Sequence, residues 1–210
     1  MALLAAAALG ALPARASELS FDLTQCFITG CPAQSSYGTV TVATVSATEV
    51  AVTVTLLPGE VFAFGGAGKP LLFDLAGSPS VTVSGLPSGF TITHHPMTMA
   101  DGTGKWDYFV DCASACGSGT SAGISGPLMF DVTLASGITP ASFVANAKGL
   151  FFATDIGIPS GGGFVTGDVG ANTASPVPLP PATLLLGSAL LALLLARHRR
   201  RPPAPALAPC

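Results

Sequence analysis

Valine alternates with threonine or alanine from Thr39 to Val45 and again from Val50 to Leu56. Successive side chains of an extended chain point to opposite faces, so a period of two predicts a strand with one face buried. Val81-Thr82-Val83 and Phe90-Thr91-Ile92-Thr93 repeat the pattern over shorter spans. Leu71 to Leu75, Trp106 to Cys112, Leu128 to Leu134 and Leu150 to Ile156 are further strand candidates. Between these runs stand Pro58-Gly59, Gly65-Gly66-Ala67-Gly68, Gly77-Ser78-Pro79, Pro87-Ser88-Gly89 and Ser160 to Gly163, compositions that reverse a chain. Only Pro140 to Ala147 has room for a turn or two of helix, with Thr139 as its cap. Short strands at regular spacing predict an all-β fold, an antiparallel, jelly-roll-like β-sandwich. On its sheets Val50, Val52, Val54 and Leu56 face inward, with Ala51, Thr53 and Thr55 outward. The same alternation turns Phe130, Val132 and Leu134 inward, with Asp131 and Thr133 outward.

Two apolar segments lie outside that pattern. Ala2 to Leu12 is almost wholly Ala and Leu, and Ala14-Arg15-Ala16 before Ser17 fits the small-x-small cleavage site of a secretory signal peptide. Residues 1–16 are therefore expected to form a signal helix. No Lys or Arg precedes Leu3, so the basic n-region is missing and the natural start is expected upstream of Met1. At the other end, Pro176-Val177-Pro178-Leu179-Pro180-Pro181 leads into an apolar run over 182–196, and Arg197-His198-Arg199-Arg200-Arg201 stops it. The prolines lack backbone donors and bias their predecessors away from the helical region, which leaves an extended, accessible segment. The run reaches roughly 22 Å as a helix, short against a hydrocarbon core of about 30 Å, which suits a tilted, easily extracted transmembrane anchor. Arginines stay on the cytoplasmic side, so the tail at 202–210 is expected inside and everything before the prolines outside.

Motif, apolar helix and arginine cluster in that order resemble the PEP-CTERM class of C-terminal sorting signals, and Val177-Pro178-Leu179-Pro180 with Pro181-Ala182 is similar to its VPLPA variant. Pro181 is an addition to that variant, and the chain continues to Cys210 past the basic cluster. The resemblance covers about the last thirty residues. It implies a substrate of exosortase, a membrane-embedded cysteine protease-transpeptidase of Gram-negative bacteria that make exopolysaccharide, cut near the proline motif. The expected partners are the Sec translocon and exosortase during export, the inner membrane transiently, and exopolysaccharide afterwards. The expected location is the cell surface or extracellular matrix, after an inner-membrane precursor. The thread from Leu128 to Leu134, through Ser142-Phe143 and Leu150 to Ile156, to Thr166-Gly167-Asp168-Val169-Gly170 also resembles the C-terminal half of secreted domains that carry this signal, which have no assigned chemistry.

With both end segments set aside, residues 17–175 form one domain by length, long enough for a substantial core. This body holds all eleven acidic residues against Lys69, Lys105 and Lys148, a formal charge of −8, and no arginine. A negative field repels phosphate backbones, which argues against nucleic acid as a partner.

Cys26 with Cys31, and Cys112 with Cys116, are close pairs in a chain expected to reach an oxidising compartment. Four cysteines allow three connectivities, and the local one is preferred. Each bridge would close a short loop and contribute about 2 kcal/mol. Zinc is the competing reading, but C-x4-C and C-x3-C lack the tight knuckle spacing of zinc sites, so no metal is assigned. Cys210 stands apart at the end of the tail.

Several stretches imitate functional motifs. Gly119-Thr120-Ser121-Ala122-Gly123 satisfies the G-x-S-x-G pattern of a hydrolase nucleophile elbow, but it lies in a Gly/Ser-rich run with no helical pattern after it. The one histidine downstream is His198, and His94-His95 precede the serine, opposite to the order that elbow uses. No catalytic residue and no cofactor is therefore assigned, and His94-His95 is expected to be a solvated loop pair. Asp101, Asp107 and Asp111 near Gly102 and Gly104 offer the carboxylates that calcium prefers, at a spacing unlike D-x-D-x-D-G. Trp106 and Tyr108 share a strand face and are candidates for a sugar-stacking platform or for core. Taken together these features predict a non-enzymatic, structural or adhesive module, with a carbohydrate- or calcium-binding module as the alternative.

Overall fold

The computed structural model describes residues 17–63, 69–100, 102–112, 116 and 123–176. Outside them lie Ala14 and Ala16, the sorting segment from Val177 through the 182–196 run and Arg197, Arg199, Arg200 and Arg201 to Cys210, together with Asp101, Ser121 and Gly65 to Gly68. Among the described residues no helix is long and apolar enough to cross a membrane.

The described chain is all-β and its strands pair antiparallel in two sheets. The first runs in the order β14 (Ser175–Pro176), β1 (Glu18–Asp22), β3 (Gly38–Ser46), β4 (Glu49–Leu56), β10 (Leu128–Thr133) and β7 (Thr82–Ser84). The second runs β2 (Gln25–Cys26), β13 (Gly163–Ala171), β12 (Phe152–Ser160), β6 (Leu71–Leu75), β9 (Gly104–Asp111) and β8 (Thr91–Ala100). Two short strands complete it: β5 (Val61–Phe62) pairs with β12, and β11 (Phe143–Val144) with β6.

The alternation read from the sequence decides which faces meet. Val50, Val52 and Val54 on β4 and Phe130 and Val132 on β10 are buried, while Ala51, Thr53 and Asp131 between them are half-buried and Thr55 and Met129 next to them are exposed. In register these strands set Val52 opposite both Val42 and Phe130, so apolar side chains stack across three strands on one face. The second sheet contributes Phe62, Leu71, Phe73, Tyr108, Val110, Phe152, Ile156 and Val169 to the same core. Phe73 is its hub: its ring stacks on Tyr108 at 5.1 Å and meets Phe143 at 5.5 Å, with Phe130 and Phe152 each at 6.4 Å. Burying one such side chain contributes about 1.5–3 kcal/mol, so this shared cluster is the main source of stability.

Strand β12 carries buried side chains on both faces from Phe152 to Ile158. Phe152 and Ile156 enter the main core, while Ala153 joins Leu72, Ala100, Trp106 and Leu150 in a second, smaller cluster. The hairpin from β12 to β13 turns on Gly161 and Gly162, whose φ values of +58° and +89° suit the two-residue loop that matches strand twist.

Of the turn or two of helix expected over 140–147, one turn forms, with Thr139 at its cap. One 3₁₀ turn spans Pro140–Ser142, with the Thr139 N–H donating to Ser142 Oγ at 3.0 Å. Phe143 then pairs with Leu75 as a strand and is buried, because the aromatic core around Phe73 captures its side chain before a second helical turn is complete. His94-His95 is not a loop pair: both lie within β8, and His94 stacks on Tyr108 at 4.6 Å.

Candidate functional site

The residues proposed for sugar stacking are interior. Trp106 is 1% exposed and Tyr108 0%, and they enter different clusters. Tyr108 is flanked in register by Phe73 and His94, whose rings lie nearly parallel to it, and its hydroxyl donates to the Pro79 carbonyl. The Trp106 indole N–H donates to Thr103 Oγ1 at 3.2 Å, and that hydroxyl reaches Asp168 Oδ2 at 3.3 Å. Indole and phenol thus satisfy their polar ends internally, and no open aromatic face remains at these positions to meet a sugar.

Of the acidic candidates, Asp107 and Asp111 take separate partners. Asp107 accepts a hydrogen bond from the Ser78 hydroxyl, and its backbone N–H donates to Asp74 Oδ1 at 2.7 Å. Asp111 pairs with Lys69 at 3.0 Å. Among the described residues no group of three or more His, Cys, Asp or Glu is placed to hold a metal ion. Burial raises the Asp74 carboxyl above the ordinary range; the Asp107 N–H opposes that shift and the Asp107 charge adds to it.

Both close cysteine pairs are joined, Cys26 to Cys31 with Cα atoms 6.5 Å apart and Cys112 to Cys116 at 5.6 Å. The first bridge shapes a cleft that sequence reasoning missed. Pro32, Ala33 and Gln34 follow it directly, and the Tyr37 hydroxyl holds that segment by donating to the Pro32 carbonyl at 2.7 Å. Opposite stand the turn after β4, with Leu57, Pro58 and Glu60, and the end of β12, with Ile158 and Pro159. Together they enclose about 560 Å³. A smaller cleft of about 190 Å³, reaching Ser125 and Pro127, shares Leu57, Pro58 and Glu60 with it.

Glu60 stands in the wall of both clefts and is 5% exposed. Gln34 Nε2 donates to its Oε1 at 3.1 Å, while its Oε2 is buried with no donor among the described residues. Burial pushes this carboxyl above its ordinary range, against the lowering effect of the Gln34 amide and the Leu57 backbone. Glu60 in turn helps raise the buried Tyr37 phenol, second to burial itself. The only hint of Glu60 in the sequence is an acid between the Pro58-Gly59 turn and the apolar Val61-Phe62-Ala63; nothing local marks Gln34 or Pro159 as its neighbours. No family model, curated protein or solved structure matches this chain. The chemistry of the cleft is therefore argued from its own groups: an acceptor-rich carboxyl, one carboxamide and aliphatic walls.

Two further acids were also unforeseen. Asp155 and Asp168 face each other across β12 and β13 and are each 1% exposed. They sit within β12 and β13, and Ala153 of the second cluster lies two residues before Asp155 on the same strand.

The raised carboxyls set a pH dependence. A group whose folded pKa is raised contributes stability that is present below its unfolded value and lost as pH rises through the folded one. Thermal melts of the wild type and Glu60→Gln are expected to diverge between about pH 4 and pH 7, the wild type losing ground as pH rises. Tyr108, pushed up to about 12 by burial and by the charges of Asp107 and Asp74, stays protonated throughout that window. Parallel melting curves would show that Glu60 does not titrate differently on folding.

Proposed function

We propose that this chain is an exported, non-enzymatic β-sandwich, jelly-roll-like in plan, held at the cell surface or in the extracellular matrix as a structural or adhesive module. The observation that carries the reading is the pair of local disulfides, Cys26–Cys31 and Cys112–Cys116, because such bonds persist in oxidising compartments and are rare in reducing ones. A body with eleven carboxylates and no arginine supports it, since such a surface stays soluble outside the cell and repels nucleic acid. The apolar segment Ala2 to Leu12 supplies entry to the Sec translocon, with cleavage after Ala14-Arg15-Ala16, and the segment from Pro176 to Arg201 supplies the exosortase signal. In this reading the apolar run holds a precursor in the inner membrane until the chain is cut near Val177 to Pro180.

The test is peptide mapping, without reduction, of protein recovered from the surface of an exosortase-bearing host. Cys26 joined to Cys31, Cys112 joined to Cys116 and loss of the arginine-bearing tail are expected. Free thiols in freshly exported protein would overturn the oxidised-compartment argument.

A further inference from the structure

We propose that the cleft beside Glu60 binds a neutral pyranose residue of a polysaccharide. A volume of about 560 Å³ falls within the roughly 300–1,000 Å³ of small-molecule sites. Its walls are the aliphatic faces of Pro58, Ile158 and Pro159, and its polar groups are Glu60 and Gln34. Glu60 Oε2 is a buried acceptor that no donor reaches among the described residues, an arrangement that disfavours the empty cleft until a donor arrives. The last torsion of a glutamate side chain is broad, so the carboxyl can present this oxygen to the cleft while its aliphatic stem stays in place.

The polar pattern selects among ligands. Gln34 gives one N–H to Glu60 Oε1 and keeps a second N–H and a carbonyl oxygen. The site therefore asks for donors and an acceptor on neighbouring atoms, together with an apolar surface for the proline and isoleucine walls. Adjacent hydroxyls of a sugar ring supply the first and its C–H face the second. An ammonium group supplies donors alone and would leave the Gln34 N–H unmatched. The Cys26–Cys31 bridge and the Tyr37 to Pro32 hydrogen bond fix the Gln34 side of the cleft in advance, which lowers the ordering cost of binding.

The inference rests on the surface-module reading for its biological setting, and an assay in solution separates the two, since binding can be measured without any export. The full chain, purified in a detergent that carries no sugar, would be titrated with maltose, cellobiose, lactose and chitobiose while backbone amide resonances are followed by NMR. At least one disaccharide is expected to bind with a Kd on the order of 1 mM and to shift amides at Gln34, Leu57, Glu60 and Ile158. Glu60→Ala is expected to weaken that binding at least about tenfold with its remaining spectrum unchanged. Should Glu60→Ala fail to fold, Gln34→Ala, which removes only the carboxamide at the cleft surface, is expected to weaken the same binding. Absence of shifts with all four sugars, shifts located elsewhere, insensitivity to both substitutions, or tighter binding of ethanolammonium than of any sugar would each overturn the proposal.

Discussion

Phe73→Ala is expected to lower stability by about 3–5 kcal/mol, the range for removing a buried phenylalanine. Phe73 is 0% exposed and its ring touches Tyr108, Phe130, Phe143 and Phe152, residues of β9, β10, β11 and β12 drawn from both sheets. The void would therefore open where the two sheets meet and cannot be closed by one strand shifting. A domain of this size holds on the order of 5–15 kcal/mol in total, and each kcal/mol moves the melting point by about 2–4 °C. A drop in Tm of roughly 6–20 °C in a calorimetric scan is expected. A change of a degree or two would mean that the aromatic cluster is not the centre of the core.

Gly38→Ala is expected to cost about 4 kcal/mol through a different cause. Gly38 opens β3 at φ +141°, in a region reserved in practice for glycine and costing roughly 1–3 kcal/mol for other residues. A Cβ there would overlap the Thr55 carbonyl oxygen and lie 3.0 Å from Leu56 Cα, both backbone atoms of the partner strand. Overpacking of this kind adds roughly 1–3 kcal/mol, because β4 is held by β10 on its other side and cannot yield without disturbing that pairing. Comparison with Gly77→Ala separates the two causes, since Gly77 also has a positive φ, +76°, but its Cβ would meet nothing within 4 Å. Gly38→Ala should lose clearly more stability than Gly77→Ala; equal losses would mean that backbone strain alone decides.

What the residues revealed in advance depended on how local the cause was. The runs Thr39 to Val45 and Val50 to Leu56 were legible as strands because a period of two is written in neighbouring positions, and the observed β3 and β4 extend them by only a residue or so. The short strands β2, β5 and β11 were not legible, since two residues carry no period and pair only because tertiary packing brings them beside β13, β12 and β6. Pro140 to Ala147 yields only one turn for the same reason: a good cap and three alanines favour a helix locally, and burial of Phe143 against Phe73 outweighs them. Trp106 and Tyr108 do alternate with less buried neighbours along β9, but what covers each is set by distant segments: Leu72, Ala100, Leu150 and Ala153 around Trp106, and Phe73 against Tyr108. The cleft was hidden most completely, because Gln34, Glu60 and Pro159 come from three distant segments and none has a neighbour in sequence that announces the others.

The central claim, export followed by removal of the C-terminal anchor, is tested most directly by the intact mass and C-terminal peptides of the protein in strains with and without exosortase. With the enzyme, surface material should end near Val177 to Pro180 and yield no peptide from Arg197 to Cys210; without it, or with Val177 to Pro180 deleted, a membrane-held precursor should retain that tail. Recovery of the intact arginine-bearing tail on surface protein from the exosortase-bearing strain would contradict the account.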